Sequence, residues 1–226
     1  MNKQELATNG NGSIHQHRSP FYGKYRGVVC DNKDPWKIGR IQAKVEEIFG
    51  NKSSGWALPC VPYAGKGVGL FLMPPKDALV WIEFENGDPD YPIWTGCFWA
   101  DKQVPDIVPA TPYDPDTKVL KTDIGKIEIK DKGKGEGKSE GKQSITIEAI
   151  INEKTIHIVM DASGIEIRNA DGAFVKLNGL VIEINNGKSA FVKLNGSVIE
   201  INNGNGATVK LDGNKVSING TGLEVT

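Results

Sequence analysis

Over the first hundred residues, apolar and polar positions exchange at short range and are cut repeatedly by turn formers. Val80, Ile82 and Phe84 alternate with Trp81, Glu83 and Glu85, the period of two expected of a strand with one buried face. Short strands are predicted at Tyr25–Cys30, Gly39–Ile48, Trp56–Pro62, Ala78–Glu85 and Pro92–Phe98. Between them stand Asp34-Pro35, Ala64-Gly65, Met73-Pro74-Pro75 and Asn86-Gly87-Asp88-Pro89, each with a backbone reason to turn. No segment sustains a helical period. Five short strands in this span suit a small closed barrel, of which the five-stranded OB-fold is the commonest.

The second half carries an internal repeat. AFVKLNGLVIEINNG begins at Ala173, AFVKLNGSVIEINNG at Ala190 and ATVKLDGNKVSING at Ala207, a spacing of 17 residues each time. Apolar residues recur at four fixed offsets. Val175, Val192 and Val209 form one column, and Leu177, Leu194 and Leu211 the next. Ile182, Ile199 and Val216 form the third, and Ile184, Ile201 and Ile218 the fourth. Polar residues stand between them, Lys176, Lys193 and Lys210 in one strand, Glu183, Glu200 and Ser217 in the other. Each unit reads as strand, Gly turn, strand, Asn/Gly turn, and looser copies precede it at Ile127/Ile129, Ile145/Ile147, Ile156/Ile158 and Ile165/Ile167. Fixed periods of this kind imply a repeat architecture.

Each unit has only two apolar faces, and its third side, Asn185-Asn186-Gly187-Lys188-Ser189, is polar. A single-chain triangular coil needs three apolar sides. Three chains together supply them, with the twelve Val, Leu and Ile positions of the repeat meeting around a shared axis. Each is worth about 1.5–3 kcal/mol if fully buried, and only in the assembly, so the trimer is expected to be obligate. The fold class is therefore all-β: a five-stranded OB-fold barrel followed by an intertwined trimeric β-helix, or β-prism.

Composition sharpens the boundary. All twelve prolines lie at or before Pro115 and all five tryptophans at or before Trp99. A Pro-free tail permits uninterrupted sheet. The expected organisation is a flexible arm over 1–20, the OB domain over 21–105, a linker over 106–124, and the spike over 125–226 with its repeats at 173–222. Lys+Arg 27 against Asp+Glu 28 gives a net charge of -1, and residues 21–105 are balanced as well. A groove that tracks a nucleic-acid backbone wants excess positive charge, so nucleic acid is not an expected partner. The three cysteines (Cys30, Cys60, Cys97) lack metal or disulfide spacing and read as buried free thiols. The N-terminus, MNKQELATNGNGS, has no apolar h-region, so no signal peptide is expected and synthesis belongs in the host cytoplasm.

Residues 25–45 (YRGVVCDNKDPWKIGRIQAKV), 56–65 (WALPCVPYAG) and 81–99 (WIEFENGDPDYPIWTGCFW) together resemble the OB domain of the central spike of contractile tails. This is the phage baseplate assembly protein V and VgrG-type spike family. The Pro-free second half looks like the trimeric β-helix needle of the same proteins. The resemblance implies a non-enzymatic homotrimer in a phage baseplate or contractile injection particle. Its OB domains would seat on the tail hub, and its needle would pierce the target envelope, touching it transiently. Residues 106–125 are too short for the lysozyme domain some relatives carry, and Pro75-Lys76-Asp77-Ala78 lacks the family's Gly-Asp turn. Some relatives end in a His-x-His iron tip. Here the last histidine is His157, so the resemblance implies a separate PAAR-type cap meeting Leu223 and Val225.

No Ser-His-Asp, G-x-S-x-G, H-E-x-x-H or Walker pattern occurs, and no catalytic residue, cofactor or metal is expected. His15-Gln16-His17 has ligand-like spacing but reads as a solvated pair in the arm. Asp88 and Asp90 read as turn formers, Gly65–Gly69 as a hairpin tip, and Lys130–Lys142 as a solvated loop. The alternative reading is a single-chain β-solenoid acyltransferase or carbohydrate-binding protein with an OB accessory domain.

Overall fold

The computed structural model describes residues 20–105, 116–131, 143–220 and 222–225. The arm with His15 and His17, most of the expected linker and most of the Lys-rich loop lie outside the described residues. The chain divides into two units, Met1–Val104 and Pro105–Thr226.

In the first unit the strands are β1 (Tyr25–Asp31), β2 (Gln42–Lys44), β3 (Leu58–Pro59), β4 (Ala64–Gly65), β5 (Val68–Gly69), β6 (Leu79–Phe84) and β7 (Pro92–Phe98), with a short helix α1 (Glu46–Phe49) after β2. Five of them form one sheet in the order β2-β1-β6-β7-β3, curled into an OB-like half-barrel. The isolated antiparallel bridges Ile41–Ala57 and Lys44–Ser53 tie the β2 side of the sheet to the segment that leads into β3. The alternation in β6 is borne out: Val80, Ile82 and Phe84 are buried and their neighbours are not. With Val29, Ile41, Ala43, Val45, Ala57 and Trp94 they make the core, and the Trp94 indole N–H donates to the Gly39 carbonyl at 3.0 Å.

Two predicted strands are shorter than expected. Gly39–Ile48 gives way after Lys44 to α1, because Val45, Ile48 and Phe49 fall at i, i+3 and i+4 and turn together onto the core. Gly50 then ends the turn at φ 58, its N–H donating to the Glu46 carbonyl. Trp56–Pro62 shrinks to Leu58–Pro59 since Pro59 and Pro62 have no N–H for a ladder. The cysteines also differ from expectation. They are free thiols, but Cys60 and Cys97 are exposed and Cys30 is half-buried.

The Asp34-Pro35 turn is held from within. The Asp34 carboxylate accepts the backbone N–H groups of Trp36, Ile38 and Arg40 at 3.0, 2.9 and 3.2 Å. The Arg40 guanidinium donates to it through Nε at 3.0 Å and Nη2 at 2.7 Å and lies 3.9 Å from the Trp36 ring centroid. Arg40, aided by those N–H groups, holds the Asp34 carboxyl well below the usual carboxylate range. Such a group stabilises fully above its unfolded pKa, and the contribution is lost only as pH falls through the depressed folded value. Asp34→Asn should therefore lower the melting temperature at neutral pH. The gap to the parent should persist to about pH 4 and close only in stronger acid. Melting curves against pH test this; a gap already closed near pH 5 would contradict it.

The second unit is one twelve-stranded antiparallel sheet in strict sequence order. Its strands are β8 (Thr117–Lys121), β9 (Gly125–Lys130), β10 (Ser144–Ile151), β11 (Lys154–Asp161), β12 (Gly164–Arg168), β13 (Phe174–Asn178), β14 (Val181–Asn185), β15 (Ala190–Asn195), β16 (Val198–Asn203), β17 (Thr208–Asp212), β18 (Lys215–Ile218) and β19 (Leu223–Val225). The predicted Gly turns are hairpin turns, with Gly179, Gly196 and Gly213 at φ 57, 59 and 61, the left-handed region their place requires. The opposite turns are stapled by asparagine. Asn169, Asn186 and Asn203, again 17 residues apart, each accept two backbone N–H bonds on the side-chain oxygen, from positions two and four residues on.

Candidate interaction face of the twelve-stranded sheet

The strand register decides which side chains share a face. Each expected apolar pair in the repeat is opposite its counterpart in the next strand, and the pattern runs beyond the repeat. One ladder is Leu120, Ile127, Ile147, Ile158, Ile167, Val175, Ile184, Val192, Ile201, Val209, Ile218 and Leu223. It crosses all twelve strands without a polar member. The second starts at Lys118 and continues through Ile129, Ile145, Met160, Ile165, Leu177, Ile182, Leu194, Ile199, Leu211, Val216 and Val225. All twelve repeat positions singled out in the sequence, together with Leu223 and Val225, therefore lie on one face. In β11 Met160, and not the expected Ile156, continues the second ladder.

Among the described residues of one chain nothing covers this face. Ile184 is 53% exposed, Ile201 47% and Leu177 43%, although strand partners flank all three. Burying the remainder gains about 1 kcal/mol per position. An apolar strip of this length exceeds what a monomeric protein leaves in water.

The opposite face carries charge. Glu166, Lys176, Glu183, Lys193, Glu200 and Lys210 are successive register partners, so sign alternates at every strand. Lys176 reaches Glu166 at 3.3 Å and Lys193 reaches Glu183 at 3.6 Å. Arg168 donates to Glu166 at 2.7 Å, and it holds the Glu166 carboxyl below its usual range, with Lys176 assisting. Cross-strand pairs of this sort contribute a few tenths of a kcal/mol each. Near the sheet's start Glu128 is buried between Lys126 and Lys130. His157 sits on this charged face, opposite Glu148 and Arg168. The ion ladder could have been read from the Lys and Glu columns. The asparagine staples had no such signal, since Asn is equally common in turns that use only its backbone.

Elsewhere Asp88 accepts the N–H of Asp90 at 3.0 Å, a turn-forming role. Ala64–Gly65 and Val68–Gly69 pair as a small hairpin around Lys66-Gly67. Among the described residues no group of three or more His, Cys, Asp or Glu side chains is placed to hold a metal ion. No helix among them is long and apolar enough to cross a membrane.

Residues 25–99 match the family model described as the Type VI secretion system/phage-baseplate injector OB domain. Residues 117–190 and 187–224 match that of the phage baseplate V C-terminal trimerisation domain. No curated protein matches the chain.

Proposed function

Because the chain belongs to the phage baseplate V spike family, a structural and non-enzymatic component of phage baseplates and Type VI injectors that trimerises through its C-terminal domain, we propose that three copies close into a prism-shaped needle that transmits axial force and pierces a target envelope. The observation that carries this reading is the pair of apolar ladders on one face of the sheet. Three sheets set face inward remove all of that surface from water and leave the alternating Glu/Lys ladders outside. Backbone pairing stays within each chain, so the needle gains stiffness from continuous ladders and cohesion from the apolar axis. The repeat positions from Val175 to Ile218 form that trimer core.

At the base, the OB units seat the needle on the tail hub. Among the described residues β19 leaves one strand edge of the sheet unpaired, with Leu223 exposed and Val225 opposite Val216. Such an end is adhesive and mechanically blunt, and a PAAR-type cap covers it. Beyond Lys215 the only charged side chain is Glu224, so the docking contact is apolar. A single-chain solenoid enzyme is disfavoured: a coil would pair each strand with its equivalent one turn away, whereas every strand of the twelve-stranded sheet pairs with its sequence neighbour.

Sedimentation tests the reading. Mass should be about three times 24.5 kDa, with no folded monomer on dilution, and the trimer should retain a PAAR-type protein that a 220–226 deletion releases. A stable monomer with intact sheet would overturn the needle; equal capture by the truncated trimer would overturn the cap site.

A further inference from the structure

The turns of the repeat are written with Asn-Gly, the dipeptide in which a backbone nitrogen, unhindered by a Cβ, can attack the side chain before it. Five such pairs stand between β13 and β17: 178–179, 186–187, 195–196, 203–204 and 205–206. The fold divides them into two kinds. At 186–187 and 203–204 both reacting groups are held. The Gly187 N–H donates to Asn185 Oδ1 at 2.8 Å and the Gly204 N–H to Asn202 Oδ1 at 2.7 Å. The Asn186 and Asn203 carboxamide oxygens each accept two N–H groups of their own turns. Both glycines are also walled in: a Cβ on Gly187 would lie 2.5 Å from the Gly172 carbonyl carbon, and one on Gly204 3.0 Å from the Ala190 nitrogen.

At 178–179, 195–196 and 205–206 neither hold is present. Among the described residues these three carboxamides have no hydrogen-bond partner, and a Cβ on any of the three glycines would meet nothing within 4 Å. Of their glycine N–H groups only that of Gly196 finds an acceptor among the described residues, the Leu180 carbonyl at a long 3.4 Å. All three pairs are exposed. Asn178 and Asn195 share a row of the charged face with Asp212, so covering the apolar ladders leaves them in water.

We propose that Asn178, Asn195 and Asn205 are sites of spontaneous deamidation that the folded sheet leaves open, and that Asn186 and Asn203 are guarded by it. Hydroxide takes the proton from the glycine nitrogen, which bonds to the asparagine Cγ. The Cγ–Nδ2 bond breaks and ammonia leaves, taking a proton from water. Water then opens the five-membered imide at either carbonyl, giving aspartate or isoaspartate. The net change is one water consumed and one ammonia released. The third repeat shows that the aspartate product fits: Asp212 stands where the earlier copies have Asn178 and Asn195, and it pairs with Lys210 at 3.1 Å. Lys176 and Lys193 occupy the place of Lys210 in those copies. Each conversion makes the chain's net charge of -1 more negative by one.

The test holds the full-length protein in mildly alkaline buffer made with oxygen-18 water, beside a sample heat-unfolded in guanidinium chloride, and follows each site by peptide mass spectrometry. Unfolded, all five sites should convert at similar rates. Folded, Asn178, Asn195 and Asn205 should convert about tenfold or more faster than Asn186 and Asn203, the factor that hydrogen bonds which must first break put on a rate. Asn203 and Asn205, in one turn, are each other's control. Asn185→Ala frees the Gly187 N–H and should speed conversion of Asn186 several-fold with Asn203 unchanged. Equal rates at all five sites in the folded protein would overturn the proposal. So would intact amides at 178, 195 and 205 once the unfolded chain has converted. An Asn185→Ala variant in which Asn186 stays slow would overturn the guard. A folded monomer with the expected ranking would remove the needle and keep these sites.

Discussion

Replacing Ile199 with aspartate should abolish assembly. Ile199 lies in the second apolar ladder between Leu194 and Leu211, in the middle of the repeat. In the trimer the substitution brings three carboxylates to one level of the axis, with no cation on that face within the repeat. An unpaired charge buried there costs several kcal/mol per chain, enough to exceed the net stability of many domains. The adjoining change, Glu200→Gln, alters the outer ladder between Lys193 and Lys210 and should cost no more than about 0.5 kcal/mol. Sedimentation should show trimer for the glutamine variant and loss of trimer for the aspartate variant. Equal effects would mean the faces are inverted, the consequence of a one-residue slip in a period-two structure.

Gly164→Ala should be nearly as damaging, for a reason local to the backbone. Gly164 opens β12 at φ 139, and a Cβ there would lie 1.8 Å from the Leu177 carbonyl oxygen of the adjoining strand. Neither group can yield without breaking the β12–β13 register, which includes the first contacts between the irregular strands and the repeat. A cost on the order of 3 kcal/mol per chain is expected, paid three times in the trimer. Thermal melting of the purified assembly should show a large drop. By contrast Gly179→Ala, whose Cβ would meet nothing within 4 Å, should lose only the left-handed turn preference of glycine, about 1 kcal/mol. Similar losses at both positions would show that turn strain, and not strand contact, controls the sheet.

The repeat made the second unit readable because its information is redundant: three copies of the same apolar offsets fix strand, turn and face together. The in-register ladders followed from that period alone. What the sequence concealed was the extension of the first ladder to Leu120 and the place of Met160 in the second, where spacing between apolar pairs is irregular. In the first unit β6 was legible from alternation, and Pro92–Phe98 from its flanking turns. The α1 turn was missed because four residues are too few for a helical period to outweigh the alternating Ile41-Gln42-Ala43-Lys44-Val45 before it. Asp34-Pro35 was legible as a turn, but its staple by Arg40, six residues on, had no signal in the sequence because the loop between them must first fold back. The exposed thiols were misplaced since composition carries no information about which face of a strand a cysteine occupies.

The 17-residue period also has a consequence for how three chains find their alignment. Two strands of a sheet advance about 10 Å, so a neighbour displaced by one whole unit meets the same valines, leucines and isoleucines as before. Within 173–222 each whole-unit slip is therefore a local minimum, like a tooth of a ratchet, higher in energy by the burial lost at the ends. Alignment must then be decided where the periodicity fails: at Met160, at the Ala149–Gly125 pairing of β10 and β9, and in the OB units. The uniform shaft can zip in any phase, so the irregular strands near its base act as the index mark that chooses one. Assembly that begins at that end closes the needle with all three tips flush, whereas nucleation within the repeat produces staggered needles with ragged ends.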